Sequence, residues 1–154
     1  MKAYLETTIF NRFFEEGREY SSESKLLFDK IAAGKINGFI SLAVLEELER
    51  LPGFMRTQIL SLISKCNISA LVMHESAFEL ADTYVETGII PARSRFDGLH
   101  IALAAIHGMD CIISLHFRHI NRWMTKVETE IVHRMKGLGH LFICTPGEVI
   151  YDKE

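Results

Sequence analysis

Short apolar runs alternate with longer segments of mixed polarity along this chain. Five of the short runs predict β-strands: 3–5, 38–41, 70–73, 111–113 and 141–143. The run Cys111-Ile112-Ile113 is apolar at every position, which is typical of a strand in a parallel sheet that is covered on both faces. The first run is followed at once by Glu6, Thr7 and Thr8, so it is predicted to be a buried strand that ends in polar residues.

Segments with helical spacing of their apolar residues separate the predicted strands. They cover 21–33, 42–51, 54–65, 75–87 and 96–107, and a stretch from 117 to about 136 is predicted to be helical in part. Gly34, Gly88 and Gly108 follow three of these helices, and glycine commonly ends helices because it adopts positive φ. The alternation predicts an α/β class with a mainly parallel sheet, in a single domain over 1–154.

Composition narrows the class of protein further. The chain has 154 residues, of which 48% are hydrophobic and 24% charged, as in an ordinary globular domain. Its apolar runs are shorter than the roughly 18 residues that predict a membrane-spanning helix. The N-terminus reaches Glu6 without the apolar core of a signal peptide, and the three cysteines form no CxxC pair. We therefore expect a cytoplasmic protein with no membrane contact and no structural zinc.

Three acidic residues lie at equivalent joints of the predicted fold. Glu6 follows the first strand, Glu47 lies on the helix after the second strand, and Asp97 opens the helix that precedes Cys111. Functional groups of parallel α/β folds gather beyond the carboxyl ends of the strands, so these carboxylates are predicted to converge. Close carboxylates repel unless a cation neutralises them, and oxygen ligands select hard ions such as Mg²⁺ or Mn²⁺. The alternative is that each acid caps a helix N-terminus or is solvated.

Five segments carry patterns that recur, in the same order, in a known family. They are 4–11 (Tyr-Leu-Glu-Thr-Thr-Ile-Phe-Asn), 41–48 (Ser-Leu-Ala-Val-Leu-Glu-Glu-Leu), 88–91 (Gly-Ile-Ile-Pro), 95–102 (Arg-Phe-Asp-Gly-Leu-His-Ile-Ala) and 112–120 (Ile-Ile-Ser-Leu-His-Phe-Arg-His-Ile). The chain resembles PIN domains of the VapC-like bacterial and archaeal branch over nearly its whole length. In that family the second motif places its acid six residues after the serine, which assigns the role to Glu47 and leaves Glu46 as the fallback.

The resemblance implies more than the residue pattern does. It implies a three-layer α/β/α sandwich and a Mg²⁺- or Mn²⁺-dependent endoribonuclease, often the toxin of a toxin–antitoxin pair. The catalytic and metal-binding residues would be Glu6, Glu47 and Asp97. RNA is then the expected substrate, an antitoxin protein is an expected partner, and homodimerisation is expected. A bound cation lowers the pKa of water and polarises a phosphate, as hydrolysis of a phosphodiester requires.

Two positions depart from the family pattern. Glu6 stands where the family has aspartate, so its carboxylate lies one methylene farther from the backbone. His116 stands where many members carry a fourth acid, and a neutral imidazole there adds no negative charge for a second ion. These departures favour an alternative function, a catalytically weak or inactive module that binds RNA or a protein partner. A phosphatase or a DNA-directed flap nuclease on a similar sheet is a third alternative.

Other polar residues are candidates for contact with substrate. The loops around Asp97 and Ser114 hold cations that suit phosphate groups, although the net charge of −3 argues weakly against a surface that coats nucleic acid. The predicted substrate-binding residues are Thr7, Asn11, Arg95, Ser114, His116 and Arg118. His100 and His107 share one helix face and are predicted to pack in the core or face a partner.

Overall fold

Five parallel strands form one sheet in the computed structural model, which describes residues 1–151. The strands are β1 (Lys2–Leu5), β2 (Asn37–Ser41), β3 (Ser69–Leu71), β4 (Cys111–Ile113) and β5 (Phe142–Cys144). Their order is β3-β2-β1-β4-β5, and the pairs Tyr4–Phe39 and Tyr4–Ile112 set the register on either side of β1. The first strand of the chain is therefore the centre of the sheet. Residues 152–154, the end of the predicted domain, lie outside the described residues.

Helices connect the strands and cover the sheet. They are α1 (Thr7–Phe13), α2 (Ser21–Ala32), α3 (Leu42–Leu48), α4 (Gly53–Lys65), α5 (Glu75–Glu86), α6 (Arg95–Ile106), α7 (Trp123–Met135) and α8 (Pro146–Ile150). A short 3₁₀ turn, Ala92–Ser94, precedes α6. Helix α5 packs along α6, and α2 packs against α1 and α8. The architecture is a three-layer α/β/α sandwich, which confirms the predicted fold class. Within residues 1–151 no helix is long and apolar enough to cross a membrane.

The core is built around β1, β4 and α6. Ala3, Tyr4 and Leu5 are completely buried, and the whole of β4 is buried as its continuous apolar run predicts. Helix α6 is buried at every position from Gly98 to Ala105, because an apolar helix that has no polar face must be enclosed. Burying each Leu or Ile side chain contributes roughly 1.5–3 kcal/mol, so these central elements anchor the joints that carry the acids.

Several boundaries differ from those that the sequence predicts. Helix α1 begins directly after Glu6, because the Glu6 side chain accepts a hydrogen bond from the Thr8 N–H and starts the helix. Strand β3 ends at Leu71 rather than at Met73, since its partner strand β2 ends opposite that residue. The stretch 117–122 is a loop, held by the Asn121 side-chain amide that donates to the Ser114 carbonyl at 2.9 Å. Helices α1 and α8 were not predicted.

The topology creates a crevice beside the central strand. The chain passes from β1 outward to β2 and β3, and it then crosses to the opposite side of β1 to form β4. Ligands of parallel α/β folds bind where the direction of winding reverses, outside the carboxyl ends of the strands. Glu6 and Ser114 directly follow β1 and β4 at this reversal, and the Glu6 N–H donates to the Ile113 carbonyl at 3.1 Å. This end of the sheet is therefore where a site is expected.

Candidate metal centre

Glu6 is a buried carboxylate, only 2% exposed, at the carboxyl end of β1. Its Oε2 accepts a hydrogen bond from the Thr8 backbone N–H at 3.2 Å. Its Oε1 accepts from the Thr8 hydroxyl at 2.5 Å and from the Ser114 hydroxyl at 2.7 Å. A buried polar group needs partners in place of the water it loses, and these three donors supply them. Thr8 and Ser114 therefore hold the carboxylate in one orientation, between the ends of β1 and β4.

Glu47 brings a second carboxylate to the same place from α3. Its Oε1 accepts from the Thr7 hydroxyl at 2.8 Å and from His100 Nε2 at 2.5 Å. Burial opposes the charge of Glu47, but the hydrogen bond from His100, the closeness of that imidazole and the bond from Thr7 outweigh burial and lower the pKa of the carboxyl. The neighbouring Glu46 is exposed to solvent. Glu47 and not Glu46 thus takes part in the cluster.

His100 joins the two glutamates. One ligand atom each from Glu6, Glu47 and His100 lies within 4.8 Å of the other two. The imidazole is completely buried, and its second nitrogen, Nδ1, is 2.7 Å from the Tyr4 hydroxyl. The sequence led us to expect a packing or partner-facing role for His100. Its spacing three residues after Asp97 on α6 was the available signal, because residues at that spacing lie on the same side of a helix.

Asp97 lies in the first turn of α6 and pairs with His116. Its Oδ2 is 3.3 Å from His116 Nε2, and this hydrogen bond and ion pair outweigh burial and raise the pKa of His116. The negative charge of Asp97 also opposes the ionisation of Glu47, and that of Glu6 acts on His116. Asp97 and His116 therefore face the same crevice as the glutamates. Asp97 therefore favours the protonated form of His116, a position for which the sequence led us to consider a neutral imidazole.

The remaining predicted contact residues divide into two groups. Arg95 is occupied by α5: its Nε donates to Asp82 Oδ1 at 2.6 Å, and its guanidinium lies over the Phe78 ring. The exposed Arg118, in contrast, lies near His119, as Arg93 does: burial lowers the pKa of His119, and both positive charges lower it further. The cations that lie near His119 are therefore Arg118 and Arg93. Arg95 is not the second cation of this pair.

Asn11 and Thr7 lie on α1, next to Glu6. Thr7 is buried and donates to Glu47, as described above. The Asn11 side-chain Oδ1 is buried and has no hydrogen-bond partner among residues 1–151. An unpaired buried acceptor is uncommon, because losing its water costs free energy. Asn11 therefore carries a buried acceptor that none of residues 1–151 satisfies.

The donor set of the cluster fits a divalent cation. Two carboxylates lie close together in a largely buried site, an arrangement in which their repulsion favours a bound positive charge. Carboxylate oxygens are ligands of Mg²⁺ and Mn²⁺. Among the described residues, the group whose ligand atoms lie within 4.8 Å of one another is Glu6, Glu47 and His100; the structure does not bring Asp97 into that group, although its charge acts on Glu47.

The order of the strands and the flanking helices define a three-layer α/β/α protein, consistent with a PIN-like fold. No profile of a known protein family matches the chain, and no curated protein sequence matches it. A solved structure is similar in fold: the crystal structure of VapBC2 from Rickettsia felis bound to a DNA fragment from their promoter. The match has a TM-score of 0.55 at 14% sequence identity and covers 94% of this chain and 98% of that chain. At this identity the likeness concerns the fold alone.

Proposed function

We propose that this protein is a metal-dependent endoribonuclease that acts as the toxin of a toxin–antitoxin pair in the cytoplasm. The observation that carries the proposal is the pair of carboxylates, Glu6 and Glu47, held beside His100 at the point where the sheet reverses its winding. Asp97 adds a third carboxylate from α6. The similarity in fold to a chain of VapBC2 supports the same class of protein.

Glu6, Glu47 and Asp97 hold Mg²⁺ or Mn²⁺ in this proposal. When bound, such an ion supplies activation of water and stabilisation of charge on the phosphate that is cleaved. Thr8 and Ser114 keep Glu6 in place, so little reorganisation is needed when substrate arrives.

Substrate contacts come from the loops around the cluster. The His116 imidazole contacts a phosphate oxygen, and Arg118 and Arg93 contact the neighbouring phosphates of an RNA strand. Asn11, which is half-buried on α1, contacts a base or a ribose hydroxyl. RNA is distinguished from DNA by its 2′-hydroxyl, which both donates and accepts hydrogen bonds.

Two protein partners belong to the proposal. The structural neighbour is a VapBC complex, and we propose that this chain likewise binds an antitoxin protein. We also propose a homodimer, which is supported by the apolar outer face of α7. Neither partner is required for the carboxylate cluster to form, because all its residues come from one chain.

A catalytically weak or inactive module that binds RNA or a protein partner is the second candidate. Two observations favour it: Glu6 is longer than the aspartate of the family, and His116 Nε2 lies 3.3 Å from Asp97 Oδ2 and so occupies that carboxylate. Octahedral Mg²⁺ tolerates misplaced ligands poorly, so the longer Glu6 side chain affects Mg²⁺ more than Mn²⁺. Replacing Glu6 by aspartate separates the candidates, since a gain of cleavage would show that this position limits an otherwise competent site.

The proposal is tested with metal-free protein that is refilled with Mg²⁺ or Mn²⁺ and incubated with structured and single-stranded RNA. Asp97→Asn and Glu47→Gln should each reduce cleavage by more than the roughly 10–100-fold that is typical of outer-sphere changes at metal sites. Glu46→Gln is the matched control, because Glu46 is the exposed neighbour of Glu47. It should cleave like the unmodified protein.

Two results would contradict the nuclease. Cleavage that survives Asp97→Asn unchanged would come from a contaminant. RNA binding with no measurable Mg²⁺ or Mn²⁺ affinity would instead support the non-catalytic module.

A further inference from the structure

A chain of hydrogen bonds runs from the core into the cluster through side chains that the proposed mechanism does not use. The Ser41 hydroxyl and the Tyr4 hydroxyl are 2.7 Å apart, and Tyr4 Oη is 2.7 Å from His100 Nδ1. His100 Nε2 then reaches Glu47 Oε1 at 2.5 Å. Ser41, Tyr4 and His100 are all completely buried. Such an enclosed chain depends on the geometry of the fold and not on solvent.

Only one arrangement of hydrogens satisfies every member of this chain. The Glu47 carboxylate accepts only, so Nε2 of His100 carries a hydrogen and donates. The Ser41 Oγ accepts from the Ala43 N–H at 3.2 Å, and within residues 1–151 the Tyr4 hydroxyl is the one acceptor for its hydrogen. Tyr4 in turn donates to His100 Nδ1. Burial raises the pKa of the Tyr4 hydroxyl, which keeps its hydrogen available.

This arrangement assigns separate roles to the two oxygens of Glu47. Oε1 receives two hydrogen bonds, from His100 and from Thr7, which fill its two lone pairs. Oε2 has no hydrogen-bond donor among the described residues. The His100 nitrogen that faces the cluster is occupied by its hydrogen and has no lone pair for a cation.

We propose that His100 is a positioning residue, fixed by Tyr4 and Ser41 in the tautomer that donates from Nε2, and that it orients Glu47 to present only Oε2 to the cation. The inference rests on the proposed function, since it concerns how the same carboxylates bind the metal. His100 is then not itself a metal ligand, although it donates a hydrogen bond to one, Glu47. Outer-sphere donors of this kind orient metal ligands and affect metal affinity.

The test measures Mn²⁺ binding by electron paramagnetic resonance on three variants with a matched control. His100→Leu removes the donor and should weaken Mn²⁺ binding about 10–100-fold, the usual cost of losing an outer-sphere partner. His100→Gln places an amide N–H near the position of Nε2, and its loss should stay below about tenfold because the donor is restored. Tyr4→Phe keeps the ring in the core but removes the hydroxyl that donates to His100. It should therefore weaken Mn²⁺ binding, because His100 is no longer fixed. His107→Gln, on the same helix but bonded to the Val72 carbonyl, should bind like the unmodified protein.

Two spectroscopic readouts separate positioning from ligation and from simple misfolding. In the unmodified protein, ¹⁵N chemical shifts should report His100 with a hydrogen on Nε2 and none on Nδ1, and Tyr4→Phe should mix the tautomers while circular dichroism stays unchanged. Electron spin echo modulation of bound Mn²⁺ should contain no directly coordinated nitrogen. A coordinated ¹⁴N that disappears in His100→Gln would overturn the inference while leaving the metal site intact. Absence of Mn²⁺ binding in the unmodified protein would instead overturn the proposed function.

Discussion

At the residue scale, three histidines have different chemistry because their surroundings differ. His100 donates to a carboxylate, and His116 pairs with Asp97, which raises its pKa. His133 is buried on the inner face of α7, where desolvation lowers its pKa to about 4. Its Nε2 is 2.5 Å from the Tyr84 hydroxyl, whose pKa burial raises, so Tyr84 donates and His133 accepts as the neutral form. The sequence gives no indication of these differences, because it shows only the residue type.

The lowered pKa of His133 predicts how stability depends on pH. The folded protein prefers neutral His133, so its contribution is present above the unfolded pKa of about 6.5 and is lost as pH falls toward 4. The free energy of unfolding should fall by roughly 3 kcal/mol from this group over that interval. Urea denaturation at pH 4, 5, 6 and 7 measures it, with His133→Leu as the comparison. The free energy of unfolding of the variant should depend less steeply on pH. The same pH dependence in both proteins would show that His133 is not the group responsible.

At the element scale, two glycines illustrate different packing. Gly38 lies in β2, where an added Cβ would be 3.2 Å from Ile68 and 3.3 Å from both Ile31 and Leu5. Gly98 lies in α6, where the nearest atom, on the Tyr84 ring, would be 3.4 Å away, an ordinary contact. Strand β2 therefore needs glycine so that neighbouring layers can approach, whereas α6 tolerates a methyl group.

Alanine substitutions at these glycines should change stability in opposite directions. Gly38→Ala overpacks the core beside β2 and should cost about 1–3 kcal/mol. Gly98→Ala should be neutral or stabilise by up to about 1 kcal/mol, because alanine favours the helix over the unfolded chain. Midpoints of urea denaturation for both variants measure the difference. A Gly38→Ala protein as stable as the Gly98→Ala protein would show that β2 has more room than its contacts indicate.

At the scale of the whole molecule, α7 differs from an ordinary surface helix because its polar side chains are buried and its apolar side chains are exposed. Its inner face buries polar Thr125, Thr129 and His133, while its outer face exposes large apolar side chains. These are Trp123 (75% exposed), Met124, Val127, Ile131 and Met135 (81% exposed). Their spacing puts them along one stripe of the helix, and such a patch marks an interaction surface. In a two-fold dimer each copy presents the same stripe, so two α7 helices cover one another.

A charge placed in the α7 stripe should therefore separate the proposed dimer. Ile131→Glu should give a monomer in analytical ultracentrifugation at concentrations where the unmodified protein is dimeric, since a buried unpaired carboxylate opposes association. Val72→Glu is the control, because Val72 is an exposed apolar residue outside the stripe, directly after β3. It should leave the dimer intact. An unmodified protein that is monomeric throughout would rule out the homodimer and leave the stripe for a different partner.

The local sequence pattern was sufficient to predict the strands, most of the helices and the end of the sheet where the candidate site lies. Helical and strand periodicities depend on neighbouring residues, so the sheet, most helices and their glycine ends followed from the sequence alone. The acids that end strands or open helices were visible for the same reason, because their position relative to an element is a local property. Their exact grouping around a metal stays a prediction.

Only the tertiary structure decided which side chains share the cluster. Tyr4 reaches Ser41 across 37 residues and His100 across 96, and Glu6 meets Ser114 across 108. Sequence spacing gives no direction for side chains that meet across such separations, so His100 resembled a packing residue and Arg95 a phosphate contact. The order of strands around β1 and the burial of each polar group determine which donor meets which carboxylate, and both arise only when the layers pack.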